Sequence, residues 1–379
     1  MRPLKPLFAA ALPLSLGVGF TSPATGQAPR LGTDENTWLQ IGVLAQLQFE
    51  AADRTGGVNT DTWGYDFFAR RVRVMGRGSI HQKVKFWFST DIPNAGKAGV
   101  ANSIIWNDGF VDVQLLPEIN LAVGRFLVPF SPDNRASAGS LLGIDYNLNL
   151  LKIPTFLDRA FWRDDGVEVR GVLLKGLIEY RGGVFHGVPH TNLAAAGEPV
   201  RLNNPDHHLR TTGMMMINLA DAQAGWFYNP NSLGALKLLS VGAGYDRIPN
   251  SAPNIANSEA WNVFAMVDQP VGKGRINGLA AYYDWEGPVW VGGFEGTTMG
   301  VQVGYLLPVE FLQGKWQPVV RFQRQDNPDA NFTLNTVNLG LNYLLKGHAI
   351  NFKLDYAIND RRAAGEDVDT IRFQTQLVF

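Results

Sequence analysis

The chain has 379 residues, of which 18% are charged, 45% hydrophobic and 11% aromatic, with 41 glycines, no cysteine and a formal charge of -1. Charge below the roughly 25% of ordinary soluble domains and glycine above the roughly 7% average argue against that class. A mean hydropathy of -0.07, with no apolar run of about 18 residues after the N-terminus, excludes a polytopic helical membrane protein. The absence of cysteine rules out disulfide scaffolds, cysteine-ligated metals and thiol nucleophiles, and the charge makes no electrostatic case for nucleic acid.

Arg2 and Lys5 precede the apolar stretch from Leu7 to Val18 and then TSPATGQAPR, the order of a secretory signal peptide. Pro3, Pro6 and Pro13 disfavour the alternative of a short buried helix. Cleavage is expected after Gly26 or Ala28, with Gly26 preferred because Pro29 follows the second bond. Residues 1–26 are thus read as a signal peptide, 27–37 as a short periplasmic segment and 38–379 as the body of an exported protein.

The body alternates with period two. In LQIGVLAQLQFE, Leu39, Ile41, Val43, Ala45, Leu47 and Phe49 fall on one face and Gln40, Gln46, Gln48 and Glu50 on the other, the pattern of a strand with one apolar and one polar side. About sixteen such segments follow one another, beginning near Trp38, Asp66, Lys83, Ile104, Ile119, Asp165, Leu177, His207, Ala235, Glu259, Arg275, Thr297, Lys315, Phe332, His348 and Thr370. Most run about 9 to 15 residues, longer than a typical strand and long enough to cross a bilayer tilted. Their connections alternate long and short, as in an outer-membrane barrel; the stretch from Asp221 to Gly234 is too long for its short-turn side. The expected fold is all-β, a transmembrane antiparallel barrel. A soluble propeller or sandwich would show blade-length repeats, which the sequence lacks. Aromatics near strand ends, among them Trp38, Trp63, Tyr65, Phe67, Phe68, Phe130, Tyr228, Tyr245, Tyr282, Trp316, Tyr343 and Phe379, suit interfacial girdles.

The stretches FFARRVRVMGRGSIHQKVKFWFSTD from Phe67, LAVGRFLVPFSPD from Leu121, RAFWRDDGVEVRG from Arg159, GHAINFKLDY and IRFQTQLVF resemble the phosphate-selective porin O and P family. The resemblance implies a sixteen-stranded trimeric outer-membrane barrel whose third long loop folds inside and narrows the pore. Its arginine ladder would be carried here by Arg70, Arg71 and Arg73. The longest connection, about residues 131–164, is the third long loop, and Arg135, Lys152, Arg159 and Arg163 on it are balanced by Asp133, Asp145, Asp158 and Asp164.

A charge facing lipid at mid-bilayer costs on the order of 2–4 kcal/mol, so the charged face of each strand belongs to the lumen. Parity then places Arg71, Arg73, Arg77, Lys83, Lys85, Arg125, Arg170, Arg181, Arg210, Arg321, Lys353 and Arg372 inward, against Glu50, Asp91, Asp112, Glu168, Glu179, Asp246, Asp268 and Asp355. The planar guanidinium suits oxyanions, and rings of such groups select anions in pores. The expected activity is passive diffusion of small anions such as phosphate through a homotrimeric porin in outer-membrane lipid, without cofactor or metal. Alternatives are a general, weakly selective porin, inward arginine and acid pairs that only stiffen the wall, and a barrel enzyme acting on lipids. His186, His190, His207 and His208 cluster around one long loop but lack carboxylates at metal-ligand spacing. Asp164-Asp165-Gly166 lacks the EF-hand spacing and reads as a turn entering a strand. His81 and His348 fall at short turns on the periplasmic side, away from outer-leaflet lipid.

Overall fold

A computed structural model describes residues 29–32, 34–53, 63–154, 161–187, 190–191, 202–203, 208–249, 257–291, 294–362 and 368–379. The expected signal peptide and its cleavage bond lie outside them, as do Asp158, Arg159, His207 and the side chain of His190. Sixteen long strands carry the fold: β1 (Trp38–Asp53), β2 (Trp63–His81), β3 (Val84–Asp91), β4 (Ile105–Leu116), β5 (Ile119–Leu127), β6 (Arg163–Leu173), β7 (Ile178–Phe185), β8 (Arg210–Asn218), β9 (Leu238–Ile248), β10 (Ser258–Val271), β11 (Gly274–Glu286), β12 (Gly296–Leu306), β13 (Gly314–Asn327), β14 (Phe332–His348), β15 (Ile350–Arg362) and β16 (Thr370–Val378). Each begins within three residues of where the alternation placed it. Neighbours are antiparallel throughout, and β16 pairs with β1 through registers such as Ala45↔Leu377 and Glu50↔Arg372. That last pairing closes the sheet into a barrel with no free edge.

The outward faces expose Ile41, Leu47, Val74, Val123, Val169 and Val241, an apolar band that suits lipid. Trp316 and Tyr343 pack at 4.8 Å between centroids near the short-turn rim, and Phe49 and Phe67 at 4.7 Å toward the other. Phe68, Phe130 and Tyr228, grouped with these by sequence, are instead buried.

Four placements differ from the parity reading. Gln46 pairs with Arg71 and Leu47 with Ala69, leaving Arg70 as an extra residue in β2. This bulge lets Arg70 and Arg71 serve the same face. On β5, Ala122 and Phe126 are buried and Val123 is exposed, so Arg125 lies on the outward face, where it pairs with Asp165 of β6 at 2.8 Å. Lys83 sits exposed on the turn between β2 and β3 rather than in the wall. Arg163 and the Asp164-Asp165-Gly166 triplet belong to β6, with Gly166 paired to Gly124, so the third long connection ends at residue 162.

The too-long stretch on the short-turn side is also explained. Its two ends, residues 219–221 and 234–235, are exposed, but residues 222–233 turn back among inward side chains, with Trp226, Tyr228, Asn231 and Ser232 buried.

Candidate permeation site

Residues 128–154 carry almost no regular secondary structure, yet most are buried. Buried carbonyls without a helix or sheet need side-chain donors, and the inward faces of distant strands supply them. Gln46 of β1 donates to the Ala138 carbonyl at 3.0 Å, Asn342 of β14 to Leu142 at 2.9 Å and Gln376 of β16 to Gly139 at 2.8 Å. The Lys353 ammonium of β15 donates to both Leu141 and Gly143 at 2.6 and 2.7 Å. Arg321 of β13 donates to the carbonyls of Asp145 at 2.9 Å and Tyr146 at 3.3 Å. Two glycines permit these approaches: a Cβ on Gly143 would lie 1.5 Å from Arg321 Nη2, and one on Gly244 would lie 2.0 Å from the Phe130 carbonyl oxygen.

The stretch 219–237 pairs with this segment from below. Tyr228 N–H donates to the Arg135 carbonyl at 3.0 Å and Ser137 N–H to the Tyr228 carbonyl at 2.8 Å. Arg135 Nη2 donates to the Trp226 carbonyl at 2.9 Å, Arg170 to Ala224 at 2.9 Å and Arg181 to Gly225 at 2.6 Å. On the far wall, Asn231 donates to Gln317 at 3.0 Å and its carbonyl lies 2.6 Å from His348 Nε2. His348, placed by sequence at a short turn, thus holds this strap. Around it Trp87, Phe110, Phe126, Phe185, Trp226 and Phe227 form edge-on contacts at 5.2 to 6.0 Å, an apolar fill against the inner side of β3 to β7.

Nearly every inward arginine on that side faces a carboxylate. Arg73 meets Asp91 at 2.7 Å, Arg163 meets Asp108 at 3.1 Å, Arg170 meets Asp112 at 2.7 Å and Arg181 meets Glu179 at 2.9 Å. Arg135 pairs with Glu168, Arg210 with Asp246 and Arg275 with Asp268. Arg77 donates to Gln40 at 2.8 Å and Lys85 lies across from Asp112. Lys152 donates to Gln325 at 2.5 Å, and burial pulls its ammonium down to about 8.

Space is left on the other side of residues 144–149. A cavity of about 380 Å³ lies between them and the inner face of β13 to β16, β1 and β2. Arg70, Lys97, Arg321 and Arg372 line it together with Glu50 and Asp145. Asp145 accepts from Arg70 and Arg71, each at 2.6 Å. Burial alone would raise its carboxyl, but the two guanidinium groups outweigh that and hold it well below the usual carboxylate range. Glu50 is shared by Lys97 at 2.9 Å and Arg372 at 2.8 Å. Arg321 differs: its bonds run to backbone carbonyls, and among the described residues no carboxylate forms an ion pair with it. Parity places Arg372 inward, whereas Lys97 enters the cavity's charge without a sequence signal, because it lies on a loop where strand parity says nothing.

Asp133 of the buried segment behaves oppositely to Asp145. Burial pushes it up to about 6, although Asn147 donates to both of its oxygens at 2.8 and 2.9 Å and Arg321 lies near. A carboxyl whose folded value exceeds the unfolded value of about 4 holds its proton in the folded state between the two, so stability on this account falls as pH rises from about 4 to about 7. Asp133→Asn removes that dependence. Thermal unfolding of both proteins at several pH values should show the variant gaining on the parent as pH rises; an unchanged difference would locate the pH response elsewhere.

Among the described residues, no group of three or more His, Asp or Glu side chains is placed to hold a metal ion. What the geometry defines is a closed sixteen-stranded barrel in which residues 128–154 and 222–233 bond to side chains of several strands.

The model of the phosphate-selective porin O and P family matches residues 40–194, in agreement with the resemblance read from the sequence. No curated protein matches the chain. Solved structures similar to it include an anion-selective porin from Comamonas acidovorans, 12% identical over 90% of this chain and 100% of that one with a TM-score of 0.58. OprB of Pseudomonas putida is 10% identical over 90% and 94%, with a TM-score of 0.61. The outer membrane channel DcaP of Acinetobacter baumannii is 12% identical over 92% and 99%, with a TM-score of 0.56. At such identities the likeness establishes the fold, an outer-membrane-type barrel.

Proposed function

We propose that the protein is a bacterial outer-membrane porin through which small hydrophilic solutes diffuse with a preference for anions. It is a channel rather than an enzyme. The signal peptide would direct export, the long connections would face outward and a homotrimer would form as the family resemblance implies. Residues 128–154 act as the constriction loop, and the path runs through the cavity beside residues 144–149. The observation that carries this reading is Arg321. It is a guanidinium beside the cavity that no carboxylate among the described residues bonds, and such a group lowers the energy of a passing anion and raises that of a cation.

The same geometry favours a modest selectivity over a phosphate ladder. Arg71, Arg73, Arg170, Arg181 and Arg210 are engaged with carboxylates, so they brace the wall and the loop more than they attract solute. Replacing Arg321 by Gln should move the reversal potential in a potassium chloride gradient toward zero, measured in planar bilayers. An unchanged potential would remove Arg321 from the path, and a cation preference in the parent protein would overturn the anion reading.

A further inference from the structure

The cavity beside residues 144–149 has three kinds of surface, and together they describe a solute. The first is cationic, but three of its four cations are already held: Arg70 by Asp145, and Lys97 and Arg372 by Glu50. Arg321 alone of the four has no ion pair among the described residues; its direct bonds run to backbone carbonyls, and Asp355, Asp133 and Asp145 act on it only from a distance. The second is neutral and polar, formed beside Arg321 by Gln323, Asn338 and the bonded set Asn149, Thr336 and Asn359. In that set Thr336 accepts from Asn149 at 2.9 Å and donates to Asn359 at 2.8 Å, while Asn338 donates to Asp355 at 2.9 Å. Gln323 Oε1, Asn338 Oδ1 and Arg321 Nε have no hydrogen-bond partner among the described residues. The third is apolar, made by Phe68, Ile144 and Leu148.

A phosphate dianion suits this lining poorly. It surrenders a strong hydration shell and needs several converging charged donors in return. Here the donors are shared with Glu50 and Asp145, whose negative charges oppose a dianion directly. One guanidinium matches one carboxylate through two parallel bonds. Amide side chains match hydroxyl groups, which donate and accept, and the apolar ridge can lie against the C–H side of a carbon chain. The volume is at the lower end of the roughly 300–1,000 Å³ of small-molecule sites, which admits one small organic molecule.

Resting on the porin reading above, we propose that this cavity is a transit site for small hydroxylated monocarboxylates of the sugar-acid kind, and that it prefers them to inorganic phosphate. Arg321 attracts the carboxylate, and the amides of Gln323 and Asn338, whose oxygens are unpartnered among the described residues, take the hydroxyls.

The test uses the full-length folded protein in planar bilayers, with chloride carrying the current and gluconate, benzoate or inorganic phosphate added. Gluconate should reduce the chloride current at a concentration roughly tenfold below that at which phosphate does, and more effectively than benzoate. Arg321→Gln should abolish this block, and Arg321→Lys should weaken it. Asn338→Leu should weaken gluconate block more than benzoate block. Phosphate acting at the lower concentration, benzoate equalling gluconate, or block indifferent to Arg321 would each overturn the proposal. The comparison of the three anions needs only the parent protein, so poor folding of a variant does not remove the test. A cation-preferring reversal potential in plain potassium chloride would overturn the anion-porin reading itself. Anion preference with stronger block by phosphate would overturn only the solute class.

Discussion

Replacing residues 222–236 by a short turn between β8 and β9 is expected to raise the single-channel conductance several-fold and to make it noisy. This segment supplies Tyr228 and Trp226 to the buried fill and accepts bonds from Arg135, Arg170 and Arg181 through its carbonyls. Without it those guanidinium groups lose buried acceptors, and the Arg135 carbonyl and Ser137 N–H lose their partners on Tyr228. Residues 128–154 would then be held mainly from the β13 to β16 side and should sample positions that widen the path. The strands themselves remain paired, since the β8 to β9 ladder runs from Asn218↔Ser240 to Thr211↔Arg247 without the strap. Trp226→Ala is the milder form; truncating a buried Trp typically costs about 3–5 kcal/mol, and here that loss should fall on the fill. Folded barrels with parental conductance in both variants would mean that the strap is only decoration.

The second large effect concerns two carboxylates that look equivalent in charge and differ in attachment. Glu50→Gln and Asp145→Asn each remove one negative charge from the cavity lining. Glu50 belongs to the wall, and its partners Lys97 and Arg372 are partly accessible. Its loss should strengthen anion preference, seen as a larger reversal potential, with little change in thermal stability. Asp145 ties the buried segment to Arg70 and Arg71 of β2. Removing one member of a buried ion pair leaves uncompensated charge and typically costs about 3–5 kcal/mol. Asp145→Asn should therefore strengthen anion preference and also lower the unfolding temperature and destabilise the open-channel current. If the two variants behaved alike, the segment would not depend on Asp145 for its position.

The barrel was legible in the sequence because each strand has to satisfy lipid on one side, and strict alternation leaves little freedom. Reading the lumen side was harder where the lumen is not wet. On β5 the inward positions are Ala122 and Phe126, packed into the aromatic fill, so polarity no longer marks the inner face and Arg125 was placed on the wrong side. On β2 the extra residue at Arg70 breaks parity within one strand, which no count of alternating residues can locate. Pairing was illegible for a different reason. Arg73 with Asp91, or Arg170 with Asp112, depends on register between neighbouring and next-neighbouring strands, and a list of inward cations carries no information on which of them are already engaged. The excess of positive charge read from parity was thus an upper bound on what a solute would meet.

The bulge in β2 has a consequence for how this wall can change. Inserting or deleting one residue in a paired strand normally turns every following side chain to the opposite face. At Arg70 the chain already contains the extra residue, and pairing resumes with Gln46 opposite Arg71 and Leu47 opposite Ala69. The position is a vacant slot in the register, where a cation that reaches the cavity can be lost, exchanged or regained while Arg73, Met75 and Arg77 keep their places. Variation in what the channel admits is thereby separated from the inheritance of the barrel that holds it.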